Sequence, residues 1–316
     1  MNLTRAMVVA EIGINHNGDL DLARNMVAEA ANAGADAVKF QNYRTEDFLS
    51  DTSLQLSYES GGRTITESQW SLFKRCELTR SDVFALKAYC DELGILFLST
   101  PTSREGVTDL IEAGVSHLKN GSDFLGHLPL IRHMGASGLP TILSTGMATE
   151  EEIALAVHAF QEAGGKDLIL LACTSAYPTP LQHANVRRVA TLRKRFRCPS
   201  GYSDHTDGPD AAVAAVCLGA VVVEKHFTTD RSLPGPDHRF SATPRDLEAL
   251  VHRIRRTETA LGADALAPSD AEEQPRKLFR LSCAASRACR RTQHWPRSTS
   301  LFAVPERASL QATCKC

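Results

Sequence analysis

The chain has 316 residues, 43% hydrophobic and 23% charged, with a formal net charge of −2. That length holds one large domain with an appendage or two ordinary domains, and the composition is that of a soluble globular protein. The near-neutral charge gives no electrostatic drive toward nucleic acid or an anionic membrane, and no apolar run in the sequence approaches the roughly 20 residues that span a bilayer. The first seven residues carry one Arg, and the apolar run after them is broken at Glu11. This is too short for a signal peptide, so a cytoplasmic protein is expected.

In chain order, short apolar strands alternate with amphipathic helices. Residues 7–12 read as a buried strand and 20–33 as a helix, with Leu22, Met26, Val27 and Ala30 on one face and Gly34 at its end. A strand at 37–40 precedes a long excursion, 44–77, which carries Gly61-Gly62 and is read as an inserted loop with a short helix. Helices follow at 80–93, 104–113, 128–137, 150–163, 185–196, 209–218 and 244–261. Between them lie strands at 95–99, 116–119, 141–144, 168–172, 199–202 and 220–225. Thr149, with Glu152 three residues on, is the signature of a capping box.

Eight strand–helix units in about 260 residues match the size of an α/β (β/α)8 TIM barrel. A doubly wound open sheet gives the same alternation. The barrel is preferred because polar residues of one kind sit at the end of every strand, whereas an open sheet collects its site at one switch point. Residues 1–262 are therefore read as the barrel and 263–280 as a linker. Residues 281–316, rich in Arg, Ser, Thr and Cys without a clear period, are read as a poorly ordered, degenerate or out-of-frame tail. Cys76, Cys90, Cys173, Cys198 and Cys217 form no CxxC pair and read as reduced, mostly buried thiols. Cys283, Cys289, Cys314 and Cys316 crowd the tail at spacings that fit no zinc ribbon.

The strand ends carry the chemistry. Glu11 precedes a Gly/Asn-rich turn, the pattern of a substrate loop and equally of a helix start. Lys39 and Lys119 stand inside apolar strands, where a Lys is rarely buried without a partner. With nearby hydroxyls and backbone N–H groups they make an anion site. The fifth strand ends in Ser144-Thr145-Gly146, and the sixth leads to Ser175 and Tyr177. His205 and His226 end the last two strands and can share a divalent cation through neutral imidazole nitrogens, provided the barrel brings them together.

In order, the segments AEIGINHNGDLDLA, GADAVKFQ, FLSTP, ILSTGMAT, CTSAYPTP, GYSDHT and EKHFTTDRSLPGPDH resemble the N-acetylneuraminate (sialic acid) synthase family, with its legionaminate and pseudaminate relatives, over roughly residues 7–262. The resemblance implies a transferase that condenses phosphoenolpyruvate with an N-acetylated amino-sugar aldehyde, giving a nonulosonic acid and phosphate. It implies a divalent ion, manganese first with magnesium or cobalt as alternatives, on His205 and His226. Glu11 then matches the acid near the reacting carbons. Lys39, Lys119, Ser122, Ser144 and Ser203 match the phosphoenolpyruvate set, and Gln41, Thr100 and Glu224 line the same mouth. Tyr177, Asp237 and Ser175 match contacts to the open-chain sugar. A homodimer is implied as well. The family's antifreeze-like C-terminal domain is not recognisable after residue 280, and Asn120 and Asp123-Phe124 depart from the family pattern. The competing reading is a catalytically impaired remnant that binds metal and phosphoenolpyruvate without turnover.

Overall fold

The computed structural model describes residues 5–285 and 300–303. The chain divides into two compact units, Met1–Leu261 and Gly262–Cys316.

In the first unit, the elements run in chain order as β1 (Met7–Gly13), α1 (Leu20–Asn32), β2 (Ala37–Asn42), β3 (Gln55–Ser60), β4 (Arg63–Ser68), α2 (Gln69–Arg75), α3 (Arg80–Leu93), β5 (Leu96–Pro101), α4 (Arg104–Glu112) and β6 (Leu118–Asn120). They continue as α5 (Leu128–Ala136), β7 (Thr141–Ser144), α6 (Glu150–Glu162), β8 (Leu168–Cys173), α7 (Arg188–Phe196), β9 (Ser200–Asp204), α8 (Asp210–Cys217), β10 (Val222–His226) and α9 (Pro244–Leu261). Eight strands form one sheet in the order β5-β2-β1-β10-β9-β8-β7-β6, with every pair parallel. The two end strands lie alongside each other, with Cα atoms within 8 Å. This is the expected (β/α)8 barrel, nearly closed.

Side chains alternate across each strand, and this alternation builds both the core and the site. Met7, Val9, Ala37, Leu98, Ile142, Ile169, Leu171 and Val222 form one buried cluster, the apolar filling of the barrel interior. Their neighbours Val8, Ala10, Ile12, Val38 and Phe40 face outward and pack with α1, α3 and α9 in a second cluster. One more step of two along the inward row replaces the apolar filling by polar groups: Val9 leads to Glu11, Ala37 to Lys39, Leu98 to Thr100, Ile142 to Ser144 and Val222 to Glu224. The interior is thus packed below and polar above.

The helices end where the sequence places their caps. Thr149 and Glu152 close the expected capping box on α6, and Thr79 with Asp82 closes another on α3. The helix expected from residue 185 starts only at Arg188, because Asn185 has a left-handed φ of 48° that no helix interior accommodates.

Two expectations need correction. The excursion at 44–77 is not a loop with a short helix alone: β3 and β4 pair antiparallel around Gly61 and Gly62, whose φ values of 57° and 74° are those of a mirror-image hairpin turn. The scattered cysteines are free and mostly buried, as expected: Cys76, Cys90 and Cys173 are buried, Cys198 is half-buried and Cys217 is exposed. In the second unit, residues 273–285 are not devoid of structure. They hold α10 (Glu273–Phe279) and β11 (Ser282–Ala285), which pairs antiparallel with β12 (Ser300–Ala303). The rest of the expected tail, 286–299 and 304–316 with Cys289, Cys314 and Cys316, lies outside the described residues.

Candidate active site

At the C-terminal mouth of the barrel lies a cavity of about 390 Å³. Its lining contains every site residue named from the sequence: Glu11, Lys39, Gln41, Thr100, Lys119, Ser122, Ser144, Ser175, Tyr177, Ser203, His205, Glu224, His226 and Asp237. It also contains Thr102, Gly121, Asp123, Phe124 and Met147, which the motifs did not single out. The visible signal for these was position alone, since each lies within five residues of an expected strand end.

Two lysines and two carboxylates alternate at the floor. Lys39 Nζ is 2.9 Å from Glu11 Oε2 and 3.7 Å from Glu224 Oε2, and it donates to Thr100 Oγ1 at 3.2 Å. Lys119 Nζ is 3.9 Å from the same Glu224 Oε2, and it donates to Ser144 Oγ at 2.6 Å and to the Asn120 carbonyl at 2.8 Å. None of the four is more than 6% exposed, so each charge persists only through its partners.

The carboxylates differ in consequence. Burial pushes Glu11 up to about 7, with Lys39 opposing and the charge of Glu224 adding to the rise. Burial acts on Glu224 too, but Lys119 and Lys39 together with the Ser203 hydroxyl, 3.0 Å away, outweigh it and hold Glu224 at about 2. Burial presses the Lys119 ammonium below its ordinary value. Lys39 feels the same burial but is raised on balance by Glu11 and Glu224. Glu224 is therefore the fixed anion of the floor, and Glu11 is a carboxyl that exchanges its proton near neutrality.

Ser203 and His205 face the cavity, whereas Asp204 between them faces away and takes Lys225 at 2.8 Å. Strand β10 repeats the pattern, with Glu224 and His226 inward and Lys225 outward. The two imidazole rings stand 5.6 Å apart, centroid to centroid. Burial lowers both, His226 strongly, so both are neutral at pH 7. His205 Nδ1 lies 2.8 Å from the Thr174 carbonyl, which can only accept. That assigns the proton to Nδ1 and leaves the Nε2 lone pair available, 3.3 Å from Ser203 Oγ. His226 Nδ1 is buried without a hydrogen-bond partner. Two neutral imidazoles, one oriented by a carbonyl and one holding an orphaned nitrogen, fit a divalent cation that keeps open positions. Among the described residues no group of three or more His, Cys, Asp or Glu adds a closed cage.

Tyr177 covers the pair, its ring 4.3 Å from that of His205 and 5.7 Å from that of His226. On the other wall, Ser122 Oγ accepts from the Gly146 amide at 3.0 Å and sits 3.2 Å from Cys173 Sγ. A Cβ at Gly146 would lie 2.5 Å from Ser175 Oγ and 2.8 Å from Ser122 Oγ, so the glycine makes room for both hydroxyls. A larger groove of about 510 Å³ lies elsewhere, lined by Arg44, Glu46, Lys74, Glu77, Arg80 and neighbours. Its Lys74 is paired with Glu46 and Glu77, and its Arg80 with Asp109 and Glu112. These exposed pairs cost little to keep and leave no convergent reactive groups.

The model of the NeuB family matches residues 26–265. The chain belongs to the NeuB family. It is 39% identical to N,N'-diacetyllegionaminic acid synthase of Legionella pneumophila, over 89% of this chain and 80% of that protein. It is 34% identical to the N-acetylneuraminate-9-phosphate synthase of Mus musculus, over 81% of this chain and 71% of that one. Among solved structures it resembles the N-acetylneuraminic acid synthetase of Leptospira borgpetersenii in complex with citrate. That match has a TM-score of 0.77 and 35% identity, covering 86% of this chain and 90% of that one. The family's shared activity is a synthase-type condensation that builds sialic-type acids, and the chain is an enzyme of this carbohydrate-biosynthetic kind. No helix among the described residues is long and apolar enough to cross a membrane.

Proposed function

We propose that this chain condenses phosphoenolpyruvate with the open-chain aldehyde of an N-acetylated amino sugar, such as N-acetylmannosamine or a diacetylated trideoxy analogue. C3 of phosphoenolpyruvate bonds to the aldehyde carbon, water adds at C2, and phosphate leaves to give a nonulosonic acid. The observation that carries this reading is the floor of the cavity, where two buried lysines and three serine hydroxyls converge beside two neutral histidines. A phosphorylated enol carboxylate needs such a set of donors at both ends.

In this reading Lys119, Ser144 and Lys39 bind the phosphate and carboxylate oxygens, and Glu224 keeps both ammonium groups charged and aimed inward. Preorganised donors in a site this buried stabilise charge that develops at the enol and at the departing phosphate. Ser122, whose oxygen already accepts from Gly146, is left to donate its own proton to an anion. Glu11, near neutrality, takes and returns the proton of the water that adds at C2. His205 and His226 would hold the divalent ion, manganese first, which supplies Lewis-acid polarisation of the aldehyde when bound. Tyr177, Ser175 and Asp237 line the side where the sugar would lie. The same reading has the chain work in the cytoplasm as a homodimer.

The test is phosphate release by the purified chain with phosphoenolpyruvate, manganese and each sugar in turn. Release that needs both sugar and metal, and that stops on chelation, is the expected result. Binding of phosphoenolpyruvate without release from any sugar would instead match the impaired remnant.

A further inference from the structure

We propose that Asp204 and Lys225, which face away from the cavity, are positioning residues: their buried ion pair sets the geometry in which His205 and His226 hold a divalent ion. The inference rests on the metal-holding role proposed above for those two rings.

The pair stands directly behind the imidazoles. Asp204 and Lys225 are register partners on the adjacent strands β9 and β10, and each immediately precedes one of the histidines. Their side chains are 0% and 8% exposed and meet at 2.8 Å. Lys225 Nζ also donates to the Thr206 carbonyl at 2.7 Å. Asp204 Oδ1 accepts from the Thr206 amide at 2.9 Å and from Thr206 Oγ1 at 2.8 Å. His205 is thereby fastened on both sides, at 204 and at 206, and both fastenings run to the residue that precedes His226.

A stabilising role alone does not account for these charges. One step of two earlier, the outward rows of the same strands carry Tyr202 and Val223, which pack into the surrounding hydrophobic clusters. Apolar residues of similar volume at 204 and 225 would hold the fold as well, because a buried ion pair recovers little beyond its desolvation cost. What apolar side chains do not supply is direction. One carboxylate that takes donors from Lys225, the Thr206 amide and the Thr206 hydroxyl fixes where the chain turns after β9, and the ammonium group ties that turn to β10.

The need for direction is visible at the rings. The Thr174 carbonyl orients His205 through Nδ1, and the His205 carbonyl accepts from the Thr179 amide at 2.7 Å. The His226 ring lacks such a guide at Nδ1, and the rings of Tyr177 and Phe240 flank it edge-on. Its aim therefore follows from where β10 places its backbone, which the tie from Lys225 to Asp204 holds beside the end of β9. Partners that orient metal ligands from behind in this way tune affinity without touching the ion.

The experiment measures manganese binding by calorimetry, without substrate, in the parent, in His205→Ala and in a variant carrying Asp204→Asn with Lys225→Met. That double change removes both charges, so neither is left buried alone. It should weaken manganese binding by about 10- to 100-fold. Phosphoenolpyruvate binding measured without metal should stay at the parent's value, since the lysines proposed for it stand on β2 and β6. Unchanged manganese binding in the folded double variant overturns the inference and leaves the metal reading intact. Equal weakening of both ligands also overturns it, by reducing the pair to a stabilising contact. Should the double variant not fold, Thr206→Val keeps the volume and removes one donor to Asp204. It should weaken manganese binding about threefold, and no change there overturns the inference. A parent that binds no manganese, or binds it no better than His205→Ala, overturns the metal reading, and this inference with it.

Discussion

Lys119 is 1% exposed, and burial opposes its charge, yet three oxygens lie within 4 Å of its ammonium group. A buried cation kept in this way is poised for an incoming anion, because the anion replaces desolvation cost by direct attraction. Lys119→Ala should weaken phosphoenolpyruvate binding by about 10- to 100-fold, the worth of one charge-assisted contact. Calorimetry on the folded variant checks this, and an unchanged dissociation constant would refute the assignment. Gly146 acts at the same scale through volume. Gly146→Ala puts a methyl group within 2.9 Å of Ser175 Oγ, Ser122 Oγ and Cys173 Sγ together. It should raise the phosphoenolpyruvate KM by about tenfold, since misplacing a donor by a fraction of an ångström already costs rate. A KM equal to the parent's would show that Ser122 does not bind that substrate.

At the scale of the element, α6 shows how much a local signal is worth. Thr149 Oγ1 accepts from the Glu152 amide at 3.3 Å, and Glu152 Oε2 accepts from the Thr149 amide at 2.7 Å. Thr149→Ala should cost about 1 kcal/mol and lower Tm by about 2 °C, small because the barrel is large. Activity should not change, and differential scanning calorimetry beside the phosphate-release assay separates the two effects. The hairpin β3–β4 is the opposite case. Its turn signal, Gly61-Gly62, lies between two alternating runs, but those runs are mostly polar and all their residues except Ser60 are half-exposed or exposed. With so little apolar contrast, a period of two is hard to tell from a loop, and this is why the segment reads as one. Helix α7 starts one turn later than its pattern predicts for a related reason: a left-handed Asn185 is invisible to hydrophobic periodicity.

At the scale of the whole molecule, stability should depend on pH through buried histidines. His16 is fully buried, its Nδ1 accepts from the Gly18 amide, and burial lowers it to about 4 from an ordinary 6.5. Above 6.5 the ring is neutral in both the native and the unfolded chain, and its contribution is complete. As pH falls below 6.5 the unfolded chain takes up a proton that native His16 refuses, so stability declines until about 4 and then levels. The shift corresponds to roughly 3 kcal/mol from this one group. His238, also fully buried and lowered to about 4, adds to the same window. Urea midpoints measured from pH 7.5 to 4 should lose this contribution across that range, and His16→Gln should remove the His16 share of it. Glu11 and Asp237, both raised by burial, act in the opposite direction, so the test is the difference between the two proteins: an identical pH dependence in the parent and in His16→Gln would mean that the ring is solvated in the native state.

The sequence by itself determined the alternation of strands and helices, most of the caps, and the residues at each strand end. These follow from local rules: apolar runs, periods of 2 and 3.6, and the side chains that satisfy helix ends. It also pointed to most of the residues that line the cavity, because an ordered set of strand-end motifs survives any uncertainty in element boundaries. What it did not determine is which of them touch. Glu11 and Lys39 are 28 positions apart and Glu224 is a further 185 away, yet one ammonium group lies between both carboxylates. The sequence likewise shows Glu224, Lys225 and His226 as three adjacent polar residues, and only the pleat of β10 in the closed barrel sends the middle one outward to Asp204. The neutrality of the two histidines and the divergence of Glu11 from Glu224 belong to the same class. Both arise from burial and from charges delivered by other strands, and desolvation is a property of the assembled interior that no local stretch of chain possesses.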